Sequence, residues 1–100
     1  MSEEKEFIYD LNGETVAPTL HKLDIEGNMK KRAYDLAVES MRKFTVEKDM
    51  ADYVKEKFDD EFLPSWQCIV GKDFAVSFSH ESENFLFFSI DNLYFLLFKI

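Results

Sequence analysis

The chain has 100 residues, which is enough for one domain of ordinary size. Hydrophobic residues make up 46% of the chain and aromatic residues 16%, a composition that excludes a mainly disordered protein. The formal net charge is −8, from 12 basic and 20 acidic residues. This balance argues against nucleic acid or an anionic membrane as the main partner, because both require a basic protein surface.

The sequence predicts a cytosolic protein. Its single cysteine, Cys68, permits no internal disulfide, which fits a reducing compartment. The acidic start of the chain lacks the apolar core of a signal peptide. The apolar run at residues 93–98 is far shorter than the roughly 20 residues that span a bilayer. We therefore expect no membrane partner.

Residues 1–17 form an N-terminal extension whose structure the sequence leaves open. Alternating apolar residues at positions 7–11 lead into Asn12-Gly13. That pair tolerates positive φ and is a strong signal for a hairpin turn. A flexible extension is the alternative. We expect the main domain to comprise residues 18–100.

Two amphipathic helices are predicted after a short strand at residues 19–23. Apolar residues at steps of three and four predict the first helix from about Asp24 to Lys43. Its apolar stripe comprises Met29, Ala33, Leu36, Ala37, Met41 and Phe44. Thr45 is expected to cap the second helix, and Pro64 is expected to end it, since the residue before a proline avoids helical ψ. The apolar stripe of the second helix comprises Val46, Met50, Tyr53, Val54, Phe58 and Phe62.

The remaining chain has an apolar period of two, which predicts β-strands. We expect strands at residues 66–70, 74–79, 84–90 and 93–100, the last two joined by a tight turn at Asp91-Asn92. The predicted fold class is therefore α+β, with two helices flanking an antiparallel sheet.

Both faces of the last two strands are apolar. Phe85 and Phe87 alternate with Leu86 and Phe88, and the next strand repeats this pattern. A sheet with one wet face alternates apolar and polar residues, so both faces of this sheet need a cover. The two helices can cover one face. The simplest cover for the other is a second copy of the chain, and the alternative is the N-terminal extension.

The sequence gives little support for catalysis. His80 lies between Ser79 and Glu81, but neighbouring strand residues alternate between faces and do not converge as a catalytic triad does. Cys68 lies in an apolar strand, where thiols are usually inert. No glycine-rich phosphate loop or cluster of metal ligands is recognisable. We expect a protein that is not an enzyme and has no cofactor and no bound metal.

A binding surface remains as the functional hypothesis. The strand at residues 74–79 would expose unpaired N–H and C=O groups if it lay at a sheet edge. A partner peptide can add to such an edge as one more strand. The alternative is an edge that is merely protected from pairing.

A family resemblance is carried by residue types at fixed distances. The most specific run is Trp66, Cys68, Ile69, Val70 and Gly71, followed by Phe74, His80-Glu81, Phe85 and Leu96-Leu97-Phe98-Lys99. Upstream of it stand Glu47-Lys48-Asp49, Lys55, Phe58-Asp59 and Pro64. Over about residues 24–99 the chain resembles the eight-kilodalton, type 1 dynein light chain family.

The resemblance implies a homodimer in which the strand at residues 74–79 crosses to the sheet of the other subunit. Each boundary groove would bind a short linear motif, such as that of dynein intermediate chain, in a cytoplasmic and cytoskeleton-associated protein. The implied peptide-binding residues are Glu47, Lys48, Lys72, Asp73, Phe74, Ala75, Val76, Ser77, Phe78, Ser79, His80, Phe85, Phe87 and Ser89. The implied dimer interface includes Trp66, Gln67, Phe74, Val76 and Phe78.

The groove departs from the family pattern at two aromatic positions. Family members usually carry tyrosine in place of Ser77 and of Ser89, so the pockets of this chain should differ.

The leading hypothesis is a non-catalytic dimeric adaptor of the dynein motor complex. The alternative is a divergent structural subunit of an axonemal or cortical assembly, with an altered groove.

Overall fold

The computed structural model describes residues 7–74 and 83–99. In chain order the elements are β1 (Tyr9–Leu11), β2 (Glu14–Val16), β3 (Thr19–Asp24), α1 (Gly27–Lys43), α2 (Glu47–Phe62), β4 (Trp66–Gly71), β5 (Phe85–Ile90) and β6 (Leu93–Lys99). Within these residues a four-stranded antiparallel sheet has the order β3-β5-β6-β4, and β1 and β2 form a separate hairpin. The predicted α+β class, with two helices and an antiparallel sheet, is confirmed.

The start of α2 differs from its prediction. Val46 occupies the N-cap position in an extended conformation, and it supplies no side-chain hydrogen bond to the helix. Thr45 lies one residue too early, so its predicted capping role is wrong. Acidic residues in the first turn, Glu47 and Asp49, instead complement the positive end of the helix dipole. The Val46 side chain therefore accepts none of the first backbone N–H groups of α2.

The hydrophobic core lies between the helix pair and one face of the sheet. A guanidinium–carboxylate pair, Arg32 to Glu61 at 2.8 Å, joins α1 to α2 at the surface. Beneath it the core side chains come from both helices and from alternate positions of the two central strands. They include Ala33, Leu36, Ala37, Met50, Val54, Phe58, Leu86, Phe88, Ile90, Phe95 and Leu97.

The N-terminal hairpin packs on α1. Asn12 and Gly13 form its turn with positive φ, at 53° and 91°. The Phe7 ring meets the Tyr34 ring edge-on at 5.4 Å, and the Tyr9 hydroxyl donates to Asp35 at 2.6 Å. Burial, together with the hydrogen bond to the Asp35 carboxylate, raises the pKa of Tyr9. Because the hairpin lies on the helix side of the sheet, the alternative that it covers the opposite face is wrong.

Asp59 joins the last turns of α2 to the start of β4. Its carboxylate accepts the Trp66 backbone N–H at 2.7 Å and pairs with the Lys55 ammonium at 2.7 Å. Partial burial acts to raise the pKa of Asp59. The hydrogen bonds from Lys55 and Trp66, with the charges of Lys55 and Lys99, outweigh it and lower the pKa overall.

The Asp59→Asn variant tests this connection. A carboxyl whose pKa is lowered by folding stabilises the protein above its unfolded pKa, near 4, and loses that contribution as the pH falls through its folded value. We expect the variant to lose about 1–2 kcal/mol of unfolding free energy at pH 7, and less at pH 3, by urea unfolding. Asp60→Asn, at an exposed neighbour, is the control. An equal loss for Asp59→Asn at both pH values would contradict the assignment.

Candidate partner-binding surface

The sheet has a second apolar face, which we call the outer face, on the side away from α1 and α2. Successive residues of a strand point to opposite faces of the sheet. The strand residues that alternate with the core residues therefore belong to the outer face. One strand of this face, β4, contributes a side chain, Ile69, that is 47% exposed. The outer face comprises Gln67, Ile69, Phe85, Phe87, Ser89, Tyr94, Leu96 and Phe98.

Next to this face, β4 is an edge strand of the sheet. Its residues pair with β6 on one side, from Trp66 opposite Lys99 to Gly71 opposite Tyr94. On its other side no strand pairs with it in the part of the chain that the structure describes. Unpaired edges of this kind are places where another strand can add.

The segment after β4 turns back onto the outer face. Lys72 and Asp73 are exposed at the turn. The Phe74 ring then packs against two outer-face rings, Phe87 at 5.8 Å and Tyr94 at 6.2 Å. The chain thus leaves the open edge of the sheet and places its first aromatic residue over the outer face.

A polar pair lies inside this aromatic cluster. The His21 Nε2 atom lies 2.9 Å from the Ser89 hydroxyl oxygen, and Ser89 is buried. The His21 ring also stacks on Tyr94 at 5.5 Å and lies 5.2 Å from Phe87. The space beside the small Ser89 is therefore filled by an imidazole and a phenol from neighbouring strands.

The structure brings together three of the sequence-predicted site residues, namely Phe74, Phe87 and Ser89. His21 and Tyr94 belong to the same cluster, and sequence reasoning missed both. The register of β3 shifts between Leu20 and Lys22, and this irregularity accompanies the position of His21 over β5. An alternating pattern alone carries no signal for such a shift.

Two of the predicted peptide-binding residues, Glu47 and Lys48, lie away from this cluster in the first turn of α2. Lys48 pairs with Asp52 at 2.9 Å, and this hydrogen bond raises the pKa of the Lys48 ammonium. The first backbone donor of α2 with a described acceptor is Met50, whose N–H bonds to the Val46 carbonyl at 3.1 Å. Glu47 and Lys48 precede it in the first turn of α2, where backbone N–H groups have no acceptor within the helix.

The structure places the remaining predicted residues as follows. The Trp66 side chain is buried on the helix-facing side of β4, against Phe58, rather than on the outer face. Gln67 and Phe85 belong to the outer face. Six further predicted positions lie outside the described residues, namely Ala75, Val76, Ser77, Phe78, Ser79 and His80.

The Ser89 and His21 pair has only part of the geometry of a catalytic dyad. No hydrogen bond from the imidazole to a carboxylate occurs within residues 7–74 and 83–99, and a triad needs such an orienting acid. The Cys68 thiol is no better nucleophile, because its burial, with a smaller effect of Asp52, raises its pKa to about 12. No group of three His, Cys, Asp or Glu side chains among these residues is arranged to hold a metal ion.

The model of the family described as dynein light chain type 1 matches residues 17–100. The chain belongs to this family. A curated relative, the cytoplasmic dynein light chain of Emericella nidulans, is 35% identical over 82 residues, which cover 82% of this chain and 87% of the relative. The predicted resemblance is thereby confirmed. Dynein light chains are non-enzymatic subunits, so the expectation that the chain is not an enzyme is confirmed as well.

Solved structures of dynein light chain-like domains have the same fold. Two crystal structures of the dynein light chain-like domain of the Fasciola hepatica calcium binding protein FhCaBP2 superpose on the chain, each with 18% sequence identity. The native form gives a TM-score of 0.72 and covers 92% of this chain and 97% of that one. The mercury derivative gives 0.70, with 83% and 91%. Neither helix described in the chain is long and apolar enough to cross a membrane.

Proposed function

We propose that this dynein light chain is a homodimeric, non-catalytic adaptor that binds short linear peptides by strand addition. It would serve in the dynein motor complex of the cytoplasm, associated with the cytoskeleton, with dynein intermediate chain among its partners. The relative named as a cytoplasmic dynein light chain supports this setting. The single observation that carries the proposal is the unpaired edge of β4 beside an apolar outer face.

Dimer formation would cover the part of this face that the single chain leaves open, above all Ile69, which is 47% exposed while Phe85 and Leu96 are buried. The hairpin packs on α1, so residues 7–16 do not cover Ile69. A second copy can supply both a strand for the open edge and an apolar surface for Ile69. Interfaces of this kind usually bury roughly 1,600 Å² in total.

Peptide binding would use two sets of unpaired backbone groups, one at the edge of the crossing strand and one in the first turn of α2. The crossing strand at residues 74–79 would present one edge to β4 of the partner and the other to the peptide. The free N–H groups at Glu47 and Lys48 would bind a side-chain carbonyl of the peptide. Two grooves on one rigid dimer make the second binding event intramolecular, at roughly millimolar effective concentration for short linkers.

A second candidate function is a fixed structural subunit of an axonemal or cortical assembly. The observation that favours it is the filled space at Ser89, where His21 and Tyr94 occupy the room that a peptide side chain would need. In that case the dimer would form but would show no preference for a linear motif.

Sedimentation equilibrium followed by calorimetry tests the proposal. We expect a dimer, and heat of binding on titration with a dynein intermediate chain peptide. Ile69→Lys should weaken the dimer at least about tenfold, because it removes an apolar side chain that the dimer would bury and adds a charge. Ile8→Lys, at an exposed hairpin residue, is the matched control and should leave the dimer unchanged.

The outcomes separate the candidates. A wild-type chain that sediments as a single copy at all concentrations would overturn the adaptor function. A stable dimer that gives no heat with the peptide would favour the structural subunit.

A further inference from the structure

Most basic side chains of the two helices donate to an oxygen atom of the same chain. The pairs are Lys31 with Asp35, Arg32 with Glu61, Arg42 with the Asp10 carbonyl, Lys48 with Asp52, and Lys55 with Asp59. Lys43 and Lys57 are different, because neither ammonium has an ion-pair partner within residues 7–74 and 83–99. Both lysines are exposed. They are therefore two positive charges that the helix pair leaves open to a partner.

The two ammoniums converge on one aromatic ring. The Lys43 Nζ atom, from the last turn of α1, lies 5.6 Å from the centre of the Tyr53 ring. The Lys57 Nζ atom, one turn further along α2, lies 5.7 Å from the same centre. The half-buried Phe44 ring lies 5.8 Å from the Tyr53 ring as well. Two helices thus place two cations around an apolar base, and we call Lys43, Phe44, Tyr53 and Lys57 the Tyr53 surface.

The carboxylates that could neutralise these cations are engaged elsewhere. Glu39 stands one turn before Lys43, at the spacing that favours an ion pair on a helix. Glu61 stands one turn after Lys57, at the same spacing. Arg32 lies 2.8 Å from Glu61 and 4.0 Å from Glu39, and Glu39 also accepts the tyrosine hydroxyl at 2.8 Å. The two cations repel each other, so an anion from outside the chain would stabilise their arrangement.

We propose that the Tyr53 surface binds an acidic segment of a partner protein, which places one carboxylate on each ammonium. Charge complementarity favours this occupant, because the two ammoniums need two negative charges and the rings between them suit the methylene groups of glutamate side chains. The chain as a whole carries a formal net charge of −8, so the remaining surface repels such a segment.

The Tyr53 surface belongs to the helix pair, whereas the outer face lies on the opposite side of the sheet. A partner bound at the helices leaves the outer face and the open edge of β4 uncovered. Binding here therefore goes beyond the proposed adaptor function and does not depend on the dimer.

Fluorescence anisotropy of a labelled octaglutamate peptide, titrated with the full chain at low salt, measures this binding. Low salt is needed because salt screens the attraction between exposed charges. The Lys43→Gln/Lys57→Gln double variant should raise the dissociation constant about tenfold, as the loss of two exposed ion pairs predicts. The Lys22→Gln/Lys31→Gln control removes the same charge at two exposed lysines elsewhere and should raise it less than about threefold.

A selective loss of affinity in Lys43→Gln/Lys57→Gln supports the proposal. Equal losses in the two double variants overturn it, because only the overall charge would then matter. Absence of binding to the wild type at about 1 mM protein overturns it too. Either result leaves the proposed adaptor function standing, because dimerisation and binding of the dynein intermediate chain peptide are measured separately.

A measurement on the wild type keeps the test decisive if the double variant unfolds. Addition of octaglutamate should shift the backbone amide NMR signals of residues 43–44 and 53–57 more than those of residues 66–71. Larger shifts in β4 would overturn the proposal. An octathymidylate that binds more tightly than octaglutamate would also overturn it, since the surface would then select phosphate rather than carboxylate.

Discussion

Replacing Phe58 by alanine is expected to lower the free energy of unfolding by about 3–5 kcal/mol. Phe58 is fully buried in α2, and its ring meets the Trp66 ring edge-on at 4.8 Å and the Phe62 ring at 4.6 Å. Removing it takes away both aromatic contacts and leaves a cavity between α2 and β4. A domain of this size has only about 5–15 kcal/mol of stability in total, so the loss takes much of it.

Urea unfolding followed by tryptophan fluorescence measures this loss, since Trp66 is the single tryptophan and lies at the site of the change. Wild type and variant must be compared at one protein concentration, because dimer formation would stabilise both to a concentration-dependent extent. Lys57→Ala, at the exposed position before Phe58, should change the stability by less than about 0.5 kcal/mol. A loss below about 1 kcal/mol for Phe58→Ala would contradict the packing described.

Much of the fold could be predicted from the sequence because alternation and helical periodicity determine which side chains face the core. Leu86 and Phe88 lie in the core, as the period of two requires, and Phe87 lies on the outer face. The turn at Asp91-Asn92 joins β5 to β6 as predicted, with Asp91 at φ 54°. These features depend on local patterns that are complete within a few residues.

Other features depended on contacts between distant segments, which a local pattern does not contain. His21 approaches Ser89 across 68 positions in the chain, beside an irregularity in β3. The cap of α2 was predicted at Thr45 because threonine is a good capping residue. The chain instead starts the helix one position later, with favourable acidic groups in its first turn.

The docking of the hairpin was the largest structural feature left open. The predicted stripe of α1 contained Ala33, Leu36 and Ala37, and the structure also buries Tyr34 and Val38. These five positions cover too wide an arc of the helix for one contact surface. The Tyr34 and Val38 pair, four residues apart and outside the predicted stripe, was the available signal that another segment covers α1.

Phe7→Ala tests whether the hairpin is part of the core, with an expected loss of about 2–4 kcal/mol in the free energy of unfolding. Phe7 is 8% exposed, and its ring lies edge-on to Tyr34, which in turn lies edge-on to Phe88 of β5 at 4.8 Å. The Lys30 ammonium also lies 5.2 Å from the centre of the Phe7 ring. Truncation therefore uncovers a tyrosine that connects the hairpin to the sheet.

The adjacent residue supplies the control, since Ile8 is 57% exposed and points away from this contact. Ile8→Ala should change the stability by less than about 0.5 kcal/mol, although it removes a side chain of comparable hydrophobicity. Because the two changes differ by one position in the chain, a general effect of the N-terminal segment would appear in both. Equal losses for Phe7→Ala and Ile8→Ala in urea unfolding would therefore mean that the hairpin is not held to α1 through Phe7.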